Sequence, residues 1–331
     1  MKRKNNILFG VAATVLTLAV ISSCVMIMDS GEDGRSIIYL ECLQGMSDTT
    51  AISVIATAPK FGYEDSRVLS DVNVTLRAGG RDIPLSNAEV ATDMFPKGAF
   101  YTTERIEGGQ TLEITVSGGG FEPVTATTFK PADLKPFDVK MEKTILYQDD
   151  ATEGDRVIKV EITQDDPDIA DHFYALSFDE KRYGDGGEVY YSNPSPILRT
   201  DGFIYSSEFG DDLVVMTACS PWSLFDINYT YLSDRVVPVY FWRGASLMKD
   251  GTITVYFGER GYACEIRVHL MEVSPEFYRY VKTIDYSKDF TEALIPFVPS
   301  SYSYSNVKGG CGIFGAVSGF DGEWMKLPEW Q

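Results

Sequence analysis

The sequence predicts a mostly β protein, in which an N-terminal Ig-like β-sandwich over residues 36–135 precedes a larger β-rich domain over residues 136–331 with one short helix. Three observations predict this fold class. Apolar and polar residues alternate in many short segments, as they do in strands that bury one face. Glycine clusters end several of these segments, which is typical of turns. Tyr and Phe, which favour strands, number 19 each.

The clearest N-terminal strand covers residues 72–77, where Val72, Val74 and Leu76 share one face. Residues 79–80 are both glycine and predict a turn. Short alternating strands without a helical period favour a sandwich of about 100 residues. The strand candidates of this region are residues 37–40, 52–58, 72–77, 112–116 and 124–129.

Two prolines, at the ends of residues 131–136, indicate a boundary before a second β-rich region. Its strand candidates are residues 157–162, 172–178, 213–218, 236–242, 252–257 and 264–273. Residues 258–261, which begin and end with glycine, predict that the last two strands form a hairpin. In the last strand His269 falls on the polar side.

The predicted helix begins after Ser274, whose hydroxyl can cap it. Pro275 fits the first helical position, and Glu276 favours the positive end of the helix dipole. Apolar residues at spacings of three and four follow, and the helix is expected to end before Asp285. The tail after it is rich in Ser, Tyr, Gly and Pro and is expected to be irregular.

The first 24 residues predict export and lipid anchoring. Three basic residues precede an uncharged apolar run, residues 7–21, and Ser22-Ser23-Cys24 follows. This order is typical of a secretory signal peptide, and small residues before Cys24 are typical of a bacterial lipobox. We therefore expect a lipoprotein signal peptide at residues 1–23, lipidation of Cys24, and a tether at residues 24–35. An uncleaved membrane anchor and an ordinary secreted protein remain alternatives.

The charge of the chain restricts its partners. Residues 1–23 contain three basic residues and no acidic one, so the processed chain would have 26 basic and 48 acidic residues, a net charge of −22. Nucleic acid is excluded as a partner, because binding phosphates requires a basic surface. The expected location is the outer membrane through the lipid anchor, with the periplasmic face or the cell surface undecided.

The sequence predicts no catalytic, cofactor-binding or metal site. The two histidines, His172 and His269, are expected to be surface or structural residues. Residues 315–319 have the wrong spacing for a nucleophile elbow, and the cysteines lack metal-ligand spacing. The acidic residues 148–155 and 165–168 favour solvated turns over calcium loops. Cys264 is in phase with apolar neighbours, which favours a buried free thiol; whether Cys42, Cys219 and Cys311 form disulfides is left open.

The C-terminal segment 304–316 reads Tyr-Ser-Asn-Val-Lys-Gly-Gly-Cys-Gly-Ile-Phe-Gly-Ala. It resembles the closing signature of a Bacteroidota envelope lipoprotein family, domain of unknown function 4249. The helix at residues 274–280, the segment 232–235 and the lipobox agree with this resemblance. The resemblance implies an outer-membrane lipoprotein whose partner is a TonB-dependent transporter. Physically, we expect the glycines to allow tight turns while Ile313 and Phe314 fill a core.

These observations together predict a non-enzymatic cell-envelope lipoprotein. We expect an accessory or binding module that works with a TonB-dependent transporter in nutrient uptake, with an unidentified ligand. One alternative is an envelope hydrolase that acts on glycans or peptides, for which two facing carboxylates about 5–9 Å apart are the expected feature. The other is a structural or adhesive surface lipoprotein.

Overall fold

We analysed a computed structural model of the chain. It describes residues 37–44, 49–56, 67–90, 97–147, 154–165, 168, 171–184, 186–192, 197–200, 203–204, 214–218, 237–259, 263–285 and 304–328. The predictions for residues 1–23, for Cys24 and for the tether at residues 24–35 lie outside these ranges. No helix in the described ranges is long and apolar enough to cross a membrane.

The described chain is built of strands with two helices. The first nine strands are β1 (Ile38–Gln44), β2 (Thr50–Ala56), β3 (Arg67–Val68), β4 (Val72–Ala78), β5 (Arg81–Ile83), β6 (Ser86–Asn87), β7 (Phe100–Thr102), β8 (Gln110–Gly118) and β9 (Phe121–Lys130). The next seven are β10 (Asp138–Leu146), β11 (Asp155–Thr163), β12 (Phe173–Tyr183), β13 (Val189–Ser192), β14 (Ile197–Thr200), β15 (Phe203–Ile204) and β16 (Val214–Ala218). The remaining elements are β17 (Val237–Arg243), α1 (Gly244–Leu247), β18 (Thr252–Gly258), β19 (Cys264–Val273), α2 (Pro275–Asp285), β20 (Cys311–Asp321) and β21 (Met325–Lys326).

These strands form one large sheet and two small ones. The large sheet has 12 strands, with the central order β16-β17-β12-β19-β20-β1-β2-β7-β6. The small sheets have the orders β5-β4-β8-β9 and β10-β11-β18-β14-β15. The predicted mostly β fold class is therefore confirmed, and each strand predicted from alternation is present with its ends shifted by at most a few residues.

Both small sheets pack on the same face of the large sheet, which we call the inner face. The four-stranded sheet and strands β1, β2 and β20 enclose one apolar core, which includes Leu40, Leu76 and Phe314. The five-stranded sheet and strands β12, β17 and β19 enclose a second core, which includes Trp242 and Phe257. The two cores make two sandwiches that share one large sheet. In each sandwich, apolar side chains of two facing sheets are buried against each other, and this removal of apolar surface from water stabilises the packing.

Strand β20 contributes to both sandwiches. From Tyr39–Cys311 to Gln44–Ala316 it pairs in parallel with β1, and from Val317 to Asp321 it pairs antiparallel with β19. The division at residues 135 and 136 stays a prediction, and the topology shows that the end of the described chain completes the N-terminal sandwich.

The predicted hairpin of β18 and β19 is wrong. Strand β18 pairs with β11 and β14, whereas β19 pairs with β12, β20 and β21. The two strands instead face each other across the second core, to which Val255 and Ile266 both contribute. Alternation shows which face of a strand is buried, but it does not show whether its neighbour along the chain lies beside it or opposite it.

The structure confirms that Ser274 caps helix α2. The backbone N–H of Phe277 donates to Ser274 Oγ over 3.4 Å, and the N–H of Ala316 in β20 donates to the same oxygen over 3.2 Å. The helix packs on the outer face of the large sheet, opposite the two small sheets, through Phe277 and Val281. A buried side chain of this size stabilises the fold by about 1.5–3 kcal/mol.

The described cysteines are free and buried. Cys42 belongs to the core on the inner face, and Cys311 to a small apolar cluster on the outer face, so their side chains point to opposite sides of the sheet. Cys264 is buried and does not form a disulfide, as predicted. Burial raises the pKa of Cys311 to about 12, which keeps this thiol protonated and unreactive. Cys219 lies outside the described residues.

Candidate functional site

The main candidate site lies on the outer face of the large sheet. Residues Ser177, Asp179 and Lys181 of β12 point to this face, because alternate residues of a strand do so. They lie directly across from His269, Arg267 and Glu265 of β19, respectively. In turn, Asp321 at the end of β20 is the cross-strand partner of His269.

His269 lies between two carboxylates. Its Nδ1 is 2.6 Å from Asp321 Oδ1, and its Nε2 is 3.0 Å from Asp179 Oδ2. Its exposed fraction is 1%. Ionised carboxylates only accept hydrogen bonds, so a ring that donates from both nitrogens is the arrangement that satisfies all four groups. The geometry therefore favours the doubly protonated imidazolium.

The pKa of His269 follows from two opposing effects. Burial lowers this pKa, because a charged ring loses its water. The hydrogen bonds and charges of Asp179 and Asp321 raise it by more, so the pKa of His269 is raised above its ordinary value of 6.5.

Arg267 completes the Asp–His–Asp cluster, which we define as Asp179, His269, Asp321 and Arg267. The guanidinium donates to Asp179 Oδ2 from Nε over 3.2 Å and from a terminal nitrogen over 2.8 Å. Asp179 thus has two cationic partners and Asp321 one. Both carboxylates are fixed by charge-assisted hydrogen bonds, and the side chain of Asp321 is the more exposed, at 35%.

An exposed group of aromatic side chains adjoins this cluster. The guanidinium carbon of Arg267 lies 5.0 Å from the ring centroid of Trp324, and Lys181 Nζ lies 5.6 Å from the same centroid and 5.4 Å from that of Tyr183. The ring of Tyr191 meets Trp324 edge-on, with 6.1 Å between centroids. We call these five residues together with Val189 the aromatic patch: Lys181, Tyr183, Val189, Tyr191, Arg267 and Trp324.

The comparison with known families decides where this chain belongs. The family described as "Domain of unknown function (DUF4249)" matches residues 28–321, which is most of the chain. The chain belongs to this family. A search of the curated proteins finds no match.

The segment on which the resemblance to DUF4249 rests has a structural role. The Asn306 amide nitrogen donates to Thr127 O over 3.1 Å and to Phe314 O over 2.8 Å, and its Oδ1 accepts from Phe314 N over 2.9 Å. Asn306 therefore joins β9 of the small sheet to β20 of the large one. Ile313 and Phe314 are fully buried, as predicted.

The glycines of this DUF4249 segment have two roles. Gly309 has a φ of +81° and lies in a turn, as expected. Gly312 and Gly315 instead lie within strand β20. A Cβ on Gly312, which has a φ of +113°, would overlap Leu40 O, and a Cβ on Gly315 would lie 2.8 Å from Phe277 Cβ in helix α2. These two glycines allow close approach of β1 and of α2 to the same strand.

The other residues considered from the sequence do not join the cluster. The ring of His172 is half-buried, with Nδ1 3.5 Å from Glu272. Ser318 of the segment 315–319 is buried and donates to Pro131 O over 2.7 Å, so its hydroxyl supports the fold. The lipidation residue Cys24 and most of the acidic residues 148–155 lie outside the described ranges. Within those ranges no group of three or more His, Cys, Asp or Glu residues could hold a metal ion.

Sequence reasoning placed His269 on the polar side of its strand but missed its partners in this DUF4249 chain. Asp179 and Asp321 lie 90 and 52 residues away in the sequence. The strand containing Asp179 was predicted to end at residue 178, and β20 was not predicted at all. The available signal was that His269 shares the polar face of its strand with Glu265 and Arg267, but the pairing between strands was needed to interpret it.

A second buried carboxyl group lies elsewhere on the outer face. Glu41 of β1 is directly across from Ser53 of β2. Within the described part of the chain, Glu41 Oε2 and Ser53 Oγ are buried without a hydrogen-bond partner. Burial raises the pKa of Glu41 to about 8, so this carboxyl is neutral at pH 7.

Proposed function

We propose that this chain is an outer-membrane lipoprotein of the Bacteroidota cell envelope, anchored through acyl chains on Cys24. In this proposal it is a non-enzymatic binding or accessory protein that works with a TonB-dependent transporter in nutrient uptake. Its location, partner and role rest on the signal-peptide pattern of residues 1–24 and on the resemblance of residues 304–316 to the lipoprotein family.

The start of the family match supports the anchoring proposal. The match begins at residue 28, shortly after Cys24. The matched region and the proposed leader are therefore separate along the chain, as expected when a leader is removed and a lipid-bearing cysteine precedes the matched region. Several acyl chains, each contributing about 0.8 kcal/mol per buried methylene, would hold the processed protein at a membrane.

The observation that favours a binding role over catalysis is that both ring nitrogens of His269 are already hydrogen-bonded. A general base needs a free ring nitrogen that reaches the proton to be abstracted. Both ring nitrogens of His269 contact fixed carboxylates. Asp179 and Asp321 lie at opposite nitrogens of the imidazole ring, which fills the space between the two carboxylates. The hydrolase and adhesive alternatives stay predictions that no particular contact favours.

Anchoring is tested with Cys24→Ala. The wild-type protein should appear in the detergent-soluble envelope fraction and incorporate an alkyne-labelled fatty acid, and Cys24→Ala should lose the label. Phe129→Ala, a change at a half-exposed side chain of β9, serves as the control and should behave as wild type. Equal labelling of wild type and Cys24→Ala would contradict the proposal.

The transporter partnership is tested by affinity purification from detergent-solubilised envelopes of the native host. We expect a TonB-dependent transporter in near-stoichiometric amount, identified by mass spectrometry, and its absence from a purification that uses an unrelated tagged lipoprotein. Repeated purification without any such transporter would contradict this part of the proposal.

A further inference from the structure

We propose that the aromatic patch binds a neutral carbohydrate. This inference deepens the proposed binding role and rests on it, because it names the class of ligand and the surface that receives it.

The side chains of Tyr183, Val189 and Tyr191 form an exposed group on the surface. They are 38%, 42% and 45% exposed, and an exposed apolar group is more informative than a single exposed side chain. They lie on the paired strands β12 and β13, where Lys181 is directly across from Tyr191 and Tyr183 is directly across from Val189. Neighbouring exposed rings on paired strands form a surface for stacking, since aromatic side chains provide large contact areas with few rotatable bonds.

The charged side chains at the patch are paired with opposite charges, although the chain carries a net charge of −19. Arg267 is paired with Asp179, Lys181 with Glu265 at 3.4 Å, and His269 with Asp179 and Asp321. A charged ligand would have to displace one of these partners, whereas an uncharged one would not. The patch therefore favours a neutral ligand.

The patch combines aromatic rings with polar groups that are held in place. Sugar rings have a C–H face that stacks on aromatic rings and a rim of hydroxyl groups that donate and accept hydrogen bonds. The side chains of Lys181, Glu265 and Arg267 are 24–26% exposed, so their donors and acceptors are partly open to solvent. Ion pairing and cation–π contacts already hold these groups in place, which lowers the entropy cost of binding.

The position of the patch suits a soluble ligand. The described chain begins beside the start of β20, since Tyr39 pairs with Cys311. Strand β20 has 11 residues, so its far end, next to the patch, is ~33 Å away. A protein anchored through Cys24 would thus have the patch at the opposite end of the sheet from the point where the tether enters the body.

The experiment uses the full processed chain without its acyl group. Its binding to an array of neutral oligosaccharides of hexoses and pentoses is measured first, and each hit is quantified by isothermal titration calorimetry. Tyr191→Ala and Trp324→Ala should each weaken binding about tenfold or more, as truncation of a central aromatic contact does. Trp324→Phe should recover part of it. Phe129→Ala, on the small sheet, should bind as wild type.

Several outcomes would overturn the inference. They are the absence of binding to any neutral oligosaccharide, binding only to charged glycans or to peptides, and binding that neither Tyr191→Ala nor Trp324→Ala weakens. Trp324 contacts Arg267, so Trp324→Ala could also disturb the ion pairs of Arg267. Tyr191→Ala removes a ring of the patch without removing that contact. Affinity purification of the transporter with the same variants separates the two proposals. If the transporter copurifies but the protein binds no neutral glycan, only the carbohydrate inference is contradicted.

Discussion

Two buried ionisable residues on the outer face differ in how their charges are satisfied. His269 has a charged partner at each ring nitrogen, so its positive form is stabilised despite burial. Glu41 Oε2 has no hydrogen-bond partner within the described residues, so burial favours its neutral form. Both arrangements make the free energy of unfolding depend on pH, and each can be tested with one isosteric or near-isosteric change.

We predict that His269→Gln destabilises the protein by about 3 kcal/mol at pH 6, because the buried Asp179 loses one of its two cationic partners and Asp321 loses the imidazolium. The folded-state pKa of His269 is raised, so its stabilising contribution is complete below pH 6.5 and is lost as the pH rises through that raised value. The difference between wild type and His269→Gln should shrink in this window. Urea denaturation from pH 5.5 to 9 measures it.

The matched control for His269→Gln is His172→Gln, which changes the half-buried ring near Glu272. We expect a much smaller loss of stability from it. A pH-independent difference between His269→Gln and wild type would contradict the ionised Asp–His–Asp cluster.

We predict that Glu41→Gln stabilises the protein at pH 8. The folded-state pKa of about 8 lies above the ordinary 4.5, so the wild type loses about 1.4 kcal/mol per pH unit as the pH rises from 4.5 towards 8. An amide does not ionise, so the advantage of Glu41→Gln should vanish near pH 4.5. Thermal melts of this variant and of the exposed control Glu122→Gln, across that range, measure the effect. Equal melting temperatures of the wild type and Glu41→Gln at pH 8 would show that the pKa of Glu41 is not raised by burial.

At the level of elements, β20 depends on close contacts that only glycine allows. We predict that Gly312→Ala costs more than about 4 kcal/mol or prevents folding, since a Cβ there would overlap Leu40 O in β1. Gly120→Ala is the control, because it tests the cost of backbone strain without a close contact to another strand. Gly120 also has a positive φ, +82°, but no atom lies within 4 Å of a Cβ built there, so about 1–2 kcal/mol is expected. Equal denaturation midpoints for the two variants would argue against the tight β1–β20 pair.

Helix α2 is attached to β20 through one side chain. Ser274→Ala removes the acceptor for Phe277 N and for Ala316 N, so we expect a loss of about 1–2 kcal/mol in chemical denaturation. Ser86→Ala, at an exposed position in β6, is the comparison and should change stability little. If the two variants unfold at the same denaturant concentration, the Ser274 hydroxyl does not join the helix to the sheet.

The elements with clean alternation could be predicted from the sequence, and those with unusual packing could not. Val72, Val74 and Leu76 alternate with polar residues because one face of β4 is solvated, so the strand was found. Strand β20 is buried on both faces through Ser318 and is rich in glycine, so it shows no alternation and the sequence predicts an irregular tail there. The helix was found because Ser274 and Pro275 mark its start.

The candidate site could be predicted only in part for the same physical reason. The polar side of β19 is visible in the sequence, but the neighbours of His269 come from β12 and β20, and long-range strand order is not encoded in local alternation. The contact between Tyr191 and Trp324 could not be predicted either, because neither β13 nor β20, after which Trp324 lies, is among the predicted strands.

On the scale of the whole molecule, a single large sheet connects the two sandwiches. Both small sheets cover its inner face, which leaves the outer face for helix α2, Glu41 and the Asp–His–Asp cluster. Strand β20 runs from the point where the described chain begins to the aromatic patch. The fold therefore separates the proposed attachment to the membrane from the proposed ligand site.

The proposal of a lipid-anchored envelope protein is tested most directly by mass spectrometry of the N-terminal peptide of the protein purified from its native host. We predict that the chain begins at Cys24 and that this residue carries acyl chains, with residues 1–23 absent. An N-terminal peptide that retains the leader, or an unmodified Cys24, would contradict the account.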